Sequence, residues 1–265
     1  MPTPQPASFR LSKWYLDVVT AEGAVAILYA ARLHWGRLRV SYASVLLDGP
    51  GGQHGEAATI RGVRRPRVED DTVTWQSNPL DVRGTWRRSA PPIRRDLLRT
   101  ASGAIQWECH MPLAQATVRR GDTVLTGLGY VESLRLTLPP WKMPFRALRW
   151  GRHTSDHRSL IWIEWSAGEC RRWVWLDGEE QPGAELTGDG VHGLAHGEAL
   201  RIEAGRVVRD RGVLPGIGGT VPVLGRRLAG ALVGLHESKR LDRSRIVATT
   251  KPTELGWALH EVVTW

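Results

Sequence analysis

Along this chain apolar and polar residues alternate with a period of two in short stretches, and a period near 3.6 never persists long enough to define a substantial helix. The alternation, enriched in β-branched and aromatic residues, predicts strands over residues 24–33, 37–46, 72–75, 160–165, 172–176 and 199–202. Turn-forming clusters separate them at Ala21-Glu22-Gly23, Asp48-Gly49-Pro50-Gly51-Gly52, Glu69-Asp70-Asp71, Asp177-Gly178 and Gly188-Asp189-Gly190. Two short stretches, 92–99 and 223–232, read as helices. Many short strands at this spacing imply an all-β antiparallel sandwich or barrel, and closing a sheet on itself is the usual way to remove exposed edges.

The pattern is written twice. Leu128-Gly129-Tyr130-Val131-Glu132 returns as Leu255-Gly256-Trp257-Ala258-Leu259, 127 residues later. Val73-Thr74-Trp75 aligns with Leu200-Arg201-Ile202 at the same offset, and Leu47-Asp48-Gly49 with Leu176-Asp177-Gly178 at 129, a slip of two. Trp14 and Trp150 each open an apolar run. So long a period argues for two copies of a domain rather than an array of small repeats. The expected organisation is a first barrel over 1–127 and a second over 128–265, each of common domain size.

The formal net charge of +9 is mostly arginine, and residues 1–127 hold 17 basic against 11 acidic side chains. The arginines are scattered along strands, apart from clusters at 61–67 and 83–99, so a solvated basic surface is expected and a nucleic-acid partner is not. The same charge would allow loose contact with an anionic membrane face, at roughly 1 kcal/mol per basic residue near the surface. Cys109 and Cys170 lack metal-ligand spacing and read as buried thiols of a reducing compartment. Residues 1–8 lack a signal-peptide core, and no run reaches about 18 apolar residues, so a soluble cytoplasmic protein is expected. The oligomeric state is left open.

Thirteen tryptophans change this picture because of where they fall. In Trp162-Ile163-Glu164-Trp165 and Trp173-Val174-Trp175 they alternate with other residues, so at least one ring of each pair should face an interior. Large rings fill small barrels, or they line an apolar pocket for a flat or isoprenoid-like ligand, held at about 0.8 kcal/mol per buried methylene. Candidate chemistry gathers between the copies. A strand carrying Gly-x-Gly-Tyr-x-Glu puts Tyr130 and Glu132 on one face. A carboxyl group facing a cavity there is pushed up by desolvation and can donate a proton, typically worth about 10² to 10⁴ in rate. Alternatively, Arg146, Arg149 or Arg152 pairs with Glu132 and keeps it ionised, as half of a structural ion pair at the junction.

Lys13-Trp14-Tyr15-Leu16-Asp17, the Gly129-Tyr130-x-Glu132 signature and the stretch from Trp141 to Trp150 resemble the lipocalin-like (calycin) superfamily of bacterial carotenoid 1,2-hydratase, or hydroxyneurosporene synthase. Tocopherol cyclases and lipocalin-like Diels-Alderases are its more distant relatives. The resemblance implies two tandem lipocalin-like antiparallel β-barrels and an apolar, unsaturated ligand, such as an isoprenoid, carotenoid or polyketide-like molecule, within or between them. Glu132 falls on the family's acidic position, Tyr130 on its aromatic neighbour, and Asp17 is a second candidate acid. Trp14, Trp141, Trp150 and Arg152 are the candidate ligand-binding residues. The implied reaction is a cofactor-free, acid-assisted hydration, cyclisation or isomerisation, the work of a lyase or isomerase. Glu132 would protonate an alkene, Trp141 and Trp150 would stabilise the cation through their ring faces, and water or an internal hydroxyl would capture it. A non-catalytic carrier of a hydrophobic ligand is the alternative.

Other constellations point elsewhere or nowhere. His192 and His196 are four apart, but Gly190, Gly193 and Gly197 argue against a helix, so no metal site is expected. His153 and His157 share that spacing in what reads as a solvated hairpin. Gly216-Ile217-Gly218-Gly219 lacks the lysine of a phosphate loop, and no Gly-x-Ser-x-Gly elbow is present.

Overall fold

Runs such as Val25-Ala26-Ile27-Leu28-Tyr29-Ala30 are apolar at every position, which a strand tolerates only when both of its faces are covered. A computed structural model of the chain supplies the two covers. It describes residues 9–52, 54–144, 146–167, 169–212, 236–248 and 253–264. The first copy comprises β1 (Phe9–Val19), β2 (Val25–Trp35), β3 (Leu38–Asp48), β4 (His54–Thr59), β5 (Arg67–Glu69), β6 (Thr72–Ser77), β7 (Val82–Arg88), β8 (Ile93–Thr100), β9 (Gly103–Arg120) and β10 (Thr123–Leu136). The second comprises β11 (Ala147–Thr154), β12 (Ser159–Ala167), β13 (Glu169–Leu176), β14 (Glu179–Glu180), β15 (Glu185–Leu186), β16 (Gly190–His192), β17 (Ala199–Ile202), β18 (Arg206–Gly212), β19 (His236–Val247) and β20 (Glu254–Thr264).

Both copies fold into a curled antiparallel sheet with one strand order. The first runs β4-β3-β2-β1-β10-β9-β7-β6-β5 with β8 also on β9, and the second repeats it as β14-β13-β12-β11-β20-β19-β17-β16-β15 with β18 on β19. The chain is all-β, built as two tandem barrel-like halves. The first sheet runs through Leu136 and the second begins at Ala147, with a 3-10 turn at Pro140–Lys142 between them. The division expected after residue 127 therefore falls inside β10.

Residues 92–99, expected as a helix, are mostly β8. Its pairing with β9 carries a bulge between Asp96 and Leu98, which turns both Leu97 and Leu98 inward and breaks the strict alternation that would have marked a strand. The expected helix over 223–232 and Gly216–Gly219 lie outside the described residues.

Three apolar clusters follow from the alternation of side chains. Leu16, Val18, Leu28, Val45, Trp75, Trp86, Met111 and Val131 fill the first barrel. Leu160, Trp162, Val174, Leu200 and Ile246 fill the second. The third cluster joins the opposite faces of the same strands, with Tyr15, Tyr29, Trp107 and Tyr130 of the first sheet against Trp150, Trp165, Trp175 and Leu259 of the second. Trp162 and Trp165 thus face different interiors, as their spacing requires. In register the copies correspond at an offset of 129 rather than 127, since Val19 pairs with Leu128 as Thr154 pairs with Trp257. Gly127 and not Gly129 is therefore the counterpart of Gly256, and both mark close strand approaches. A Cβ on Gly127 would lie 2.1 Å from the carbonyl oxygen of Val19, and one on Gly256 would lie 2.2 Å from that of Thr154.

Candidate functional site

Glu132 sits where the two sheets face each other. Its Oε2 accepts three hydrogen bonds: from Trp107 Nε1 at 2.5 Å, Tyr130 Oη at 2.7 Å and Trp150 Nε1 at 3.2 Å. The first two donors belong to its own copy and the third to the other. Aromatic rings close around it. Tyr15 packs edge-on against Trp150 with centroids 4.9 Å apart, Tyr130 against Trp150 at 5.6 Å, and Trp107 stacks on Trp175 across the junction at 4.8 Å. Burial pushes the Glu132 carboxyl up from its ordinary value, against the pull of the three hydrogen bonds and of Lys13. The residue is nonetheless half-buried, so this carboxyl-bearing side chain lies deep in protein without being sealed off.

Strand register shows how unusual this carboxyl is. In the first copy Glu132 is flanked across β10 by Tyr15 of β1 and Cys109 of β9. In the second copy the same lattice point is Glu261, flanked by Trp150 of β11 and Lys239 of β19. Lys239 is ion-paired to Glu261 and, at 3.2 Å, to Glu237. Its counterpart Cys109 is fully buried, and burial pushes that thiol well up, so it stays neutral. One carboxyl of the pseudo-equivalent pair is thus ion-paired to a lysine, and the other is hydrogen-bonded by neutral donors, with Lys13 acting on it only through its charge.

Asp17 and Arg152 occupy corresponding strands, β1 and β11, and bind each other across the junction. Arg152 donates Nε to Asp17 Oδ2 at 3.0 Å and a second N–H to Oδ1, and its remaining nitrogen donates to Thr154 Oγ1 at 2.7 Å. Both side chains have no exposed surface. Burial pushes the Asp17 carboxyl up while Arg152 pulls it back toward the ionised form. The backbone is pinned as well, since Trp86 Nε1 donates to the Asp17 carbonyl at 2.6 Å. Beside this pair Lys239 is fully buried, its Nζ 5.5 Å from the Tyr15 ring and 5.8 Å from that of Trp150, and burial lowers it to about 8.

The junction therefore brings together Tyr130, Glu132, Trp150, Asp17 and Arg152 among the residues read from sequence. It separates Trp14, which faces the first barrel's interior and stacks on His110 at 4.5 Å. Trp141 stands at the rim, 42% exposed, against Phe9 and Trp35. Arg152 pairs with Asp17 and Arg149 with Glu164, so neither serves Glu132. Sequence reasoning missed Trp107, Tyr15, Cys109 and Lys239. Two other expectations are corrected. His153 is not in a solvated hairpin; it is the penultimate residue of β11 and faces the second barrel's interior, fully buried, with Nδ1 2.7 Å from Ser244 Oγ. Cys170 is exposed, because only Cys109 lies where two sheets cover it. His192 pairs with Asp189 at 3.1 Å, and among the described residues no group of three His, Cys, Asp or Glu side chains could hold a metal ion.

No protein-family model matches the chain, and no curated protein matches it in sequence. Solved structures do resemble it. CghA, solved with Sch210972, matches with a TM-score of 0.55 over 100% of this chain and 96% of that one, at 13% identity. CghA in a second structure gives 0.57 over 97% and 88%, at 10% identity. Kievitone hydratase from Nectria haematococca gives 0.53 over 98% and 90%, at 10% identity. The likeness is one of fold. It covers both halves in one alignment, so the tandem arrangement of the two barrels is shared and not only the barrel itself. Among the described residues no helix is long and apolar enough to cross a membrane.

Proposed function

We propose that the chain binds an apolar, unsaturated small molecule at the junction of its two barrels, and that Glu132 in its protonated form assists hydration, cyclisation or isomerisation of that molecule. The observation that carries this reading is the environment of Glu132: a carboxyl group among aromatic rings, accepting from Trp107, Tyr130 and Trp150 and in no ion pair with a described residue, where its pseudo-equivalent Glu261 is paired to Lys239. Three donors on Oε2 leave Oε1 as the oxygen that carries the proton. Transfer of that proton to an alkene carbon forms a C–H bond from the π pair and leaves a carbocation and a carboxylate. Water or an internal hydroxyl captures the cation and returns a proton to the carboxylate, or loss of a neighbouring proton regenerates an alkene at a new position. Asp17, held ionised by Arg152, is a structural partner in this scheme and not a second acid. The fold supports the reading, since one protein of the same architecture is named a hydratase and another was solved with a small molecule.

Native mass spectrometry with organic extraction of protein purified from its own host tests it. The expected result is a co-purifying polyene, prenylated or polyketide-like molecule that Glu132→Gln still binds but converts at least 10²-fold more slowly, the scale of a general acid. Full turnover by Glu132→Gln on that molecule would remove Glu132 from the acid role.

A further inference from the structure

Ionised side chains inside the junction are matched to one another. Asp17 pairs with Arg152, Asp48 with Arg206, and Glu56 with both Arg209 and Arg211. Lys239 is shared by Glu237 and Glu261, and Glu237 also pairs with Arg209 at 3.4 Å. Lys13 is not matched. It makes no hydrogen bond or ion pair with a described residue, and its Nζ lies over the Tyr29 ring, 4.7 Å from the centroid.

Lys13 also stands where solvent enters the junction. Along the junction face of β1, Asp17 and Tyr15 are buried, Lys13 and Leu11 are half-buried, and Phe9 is buried again where Trp141 packs on it. On β10, Glu132 and Leu134 are half-buried as well, Glu132 opposite Tyr15 and Leu134 opposite Lys13. Leu33, Met143 and Leu148 are half-buried and pack against the same apolar cluster. The opening is thus framed by apolar side chains, and it carries the candidate acid and an unpaired cation one strand rung, about 7 Å, apart.

A protonated Glu132 leaves the charge of Lys13 uncompensated in this half-buried, apolar setting, where an anion brought in by a ligand interacts more strongly than it would in water. We infer that the molecule bound at the junction carries a carboxylate, and that Lys13 holds it while the apolar, unsaturated part lies against Leu11, Leu134 and Leu148 beside Glu132. The inference rests on the proposed junction site and narrows its ligand from hydrocarbons to unsaturated acids. An ammonium is a single point charge, matched by one carboxylate, whereas a phosphate carries more charge than one lysine balances. Binding also prepares the acid. Burial pushes Glu132 up and Lys13 is among the groups that pull it back, so a carboxylate on Lys13 cancels that pull and keeps Glu132 protonated while the ligand is in place.

The test uses the full chain with cis-parinaric acid, a fluorescent conjugated polyene carboxylate, and with its uncharged methyl ester, each titrated near neutral pH. The inference predicts that the native chain binds the acid about tenfold more tightly than the ester, the effect of one charge-assisted contact. Lys13→Met should weaken the acid about tenfold and leave the ester unchanged, and Lys13→Arg should keep the preference. The ester's affinity reports an intact site in each variant, and Lys13→Gln carries the same comparison if the methionine variant does not fold. If the native chain binds acid and ester equally, if Lys13→Met weakens both alike, or if it leaves the acid's advantage in place, the carboxylate anchor is wrong while the junction site stands. If neither probe binds the native chain, the proposed apolar ligand fails along with the anchor.

Discussion

Removing one member of the Asp17–Arg152 pair should loosen the two copies in a way that depends on which member is lost. Both side chains have no exposed surface, so Asp17→Asn leaves a guanidinium buried without its counter-charge, with one amide oxygen and Thr154 as its side-chain acceptors. Breaking a buried pair in this way costs about 3 to 5 kcal/mol. Arginine cannot shed its proton, so that cost should hold at every accessible pH. Arg152→Met strands a carboxylate instead, and a carboxylate can escape by protonation. Burial already pushes Asp17 up, and without Arg152 its folded value rises further above the unfolded one. A group raised in this way favours folding below its unfolded value and loses that contribution as pH rises through its folded value. Arg152→Met should therefore be mild in acid and reach its full cost near neutrality. The double variant Asp17→Leu/Arg152→Met should recover most of the loss, since an apolar replacement of comparable volume is often neutral or stabilising. Urea unfolding followed by tryptophan fluorescence and by circular dichroism gives the readout. With a slope of about 3 kcal/mol/M, a loss of about 3 to 5 kcal/mol moves the midpoint down by roughly 1 to 1.7 M. Single variants within about 1 kcal/mol of the native chain, or a double variant no better than either single, would refute the reasoning.

Other outcomes follow from the same geometry. Gly129→Ala should destabilise by about 1 to 3 kcal/mol in thermal unfolding, because its Cβ would fall 2.6 Å from that of Ala116 and 2.7 Å from both the Asp17 carbonyl oxygen and Trp86 Cδ1. Burial holds the His153 imidazole down to about 3, so between the ordinary histidine value near 6.5 and that point the unfolded chain binds a proton that the folded chain does not. Stability should fall with acidification through this window by up to about 1.4 kcal/mol per pH unit, and His153→Gln should flatten that limb of the curve. Glu132→Gln should change the urea midpoint little, by about 1 kcal/mol or less of stability, because an amide oxygen can still accept from Trp107, Tyr130 and Trp150.

The strands and the duplication were legible because alternation and turn chemistry are local properties of a sequence. β2, β3, β12 and β13 begin or end within two residues of the expected bounds at nearly every end, and the repeat reappears as a common strand order, but not with the matches read at an offset of 127. Residues 73–75 lie on β6, the counterpart of β16, whereas 200–202 lie on β17. Glu132 corresponds to Glu261, 129 residues on, rather than to Leu259. What escaped depends on irregularity or distance. The bulge at Asp96 hid β8 as a helix. Two register shifts in β10, on either side of Val131, place Cys109 opposite Glu132, where a regular β9–β10 hairpin would have placed a different residue. The Asp17–Arg152 pair spans 135 positions and forms only when the copies dock, so proximity in sequence pointed Arg152 to Glu132 instead. Tyr130 and Glu132 were legible because a signature two residues apart on one strand fixes its own geometry. Lys239 could have been noticed as a lysine among the alternating residues of β19, but nothing local distinguishes an inward-facing lysine from a solvated one.

The account turns on the protonation of Glu132, and infrared difference spectroscopy of the native chain against Glu132→Gln reads it directly. A protonated-carboxyl band present only in the native chain, titrating with a midpoint above the ordinary glutamate value of about 4.3, is the predicted result. A Glu132 that is already ionised at or below that value would contradict it, because a carboxylate held by Trp107, Tyr130 and Trp150 has no proton to give.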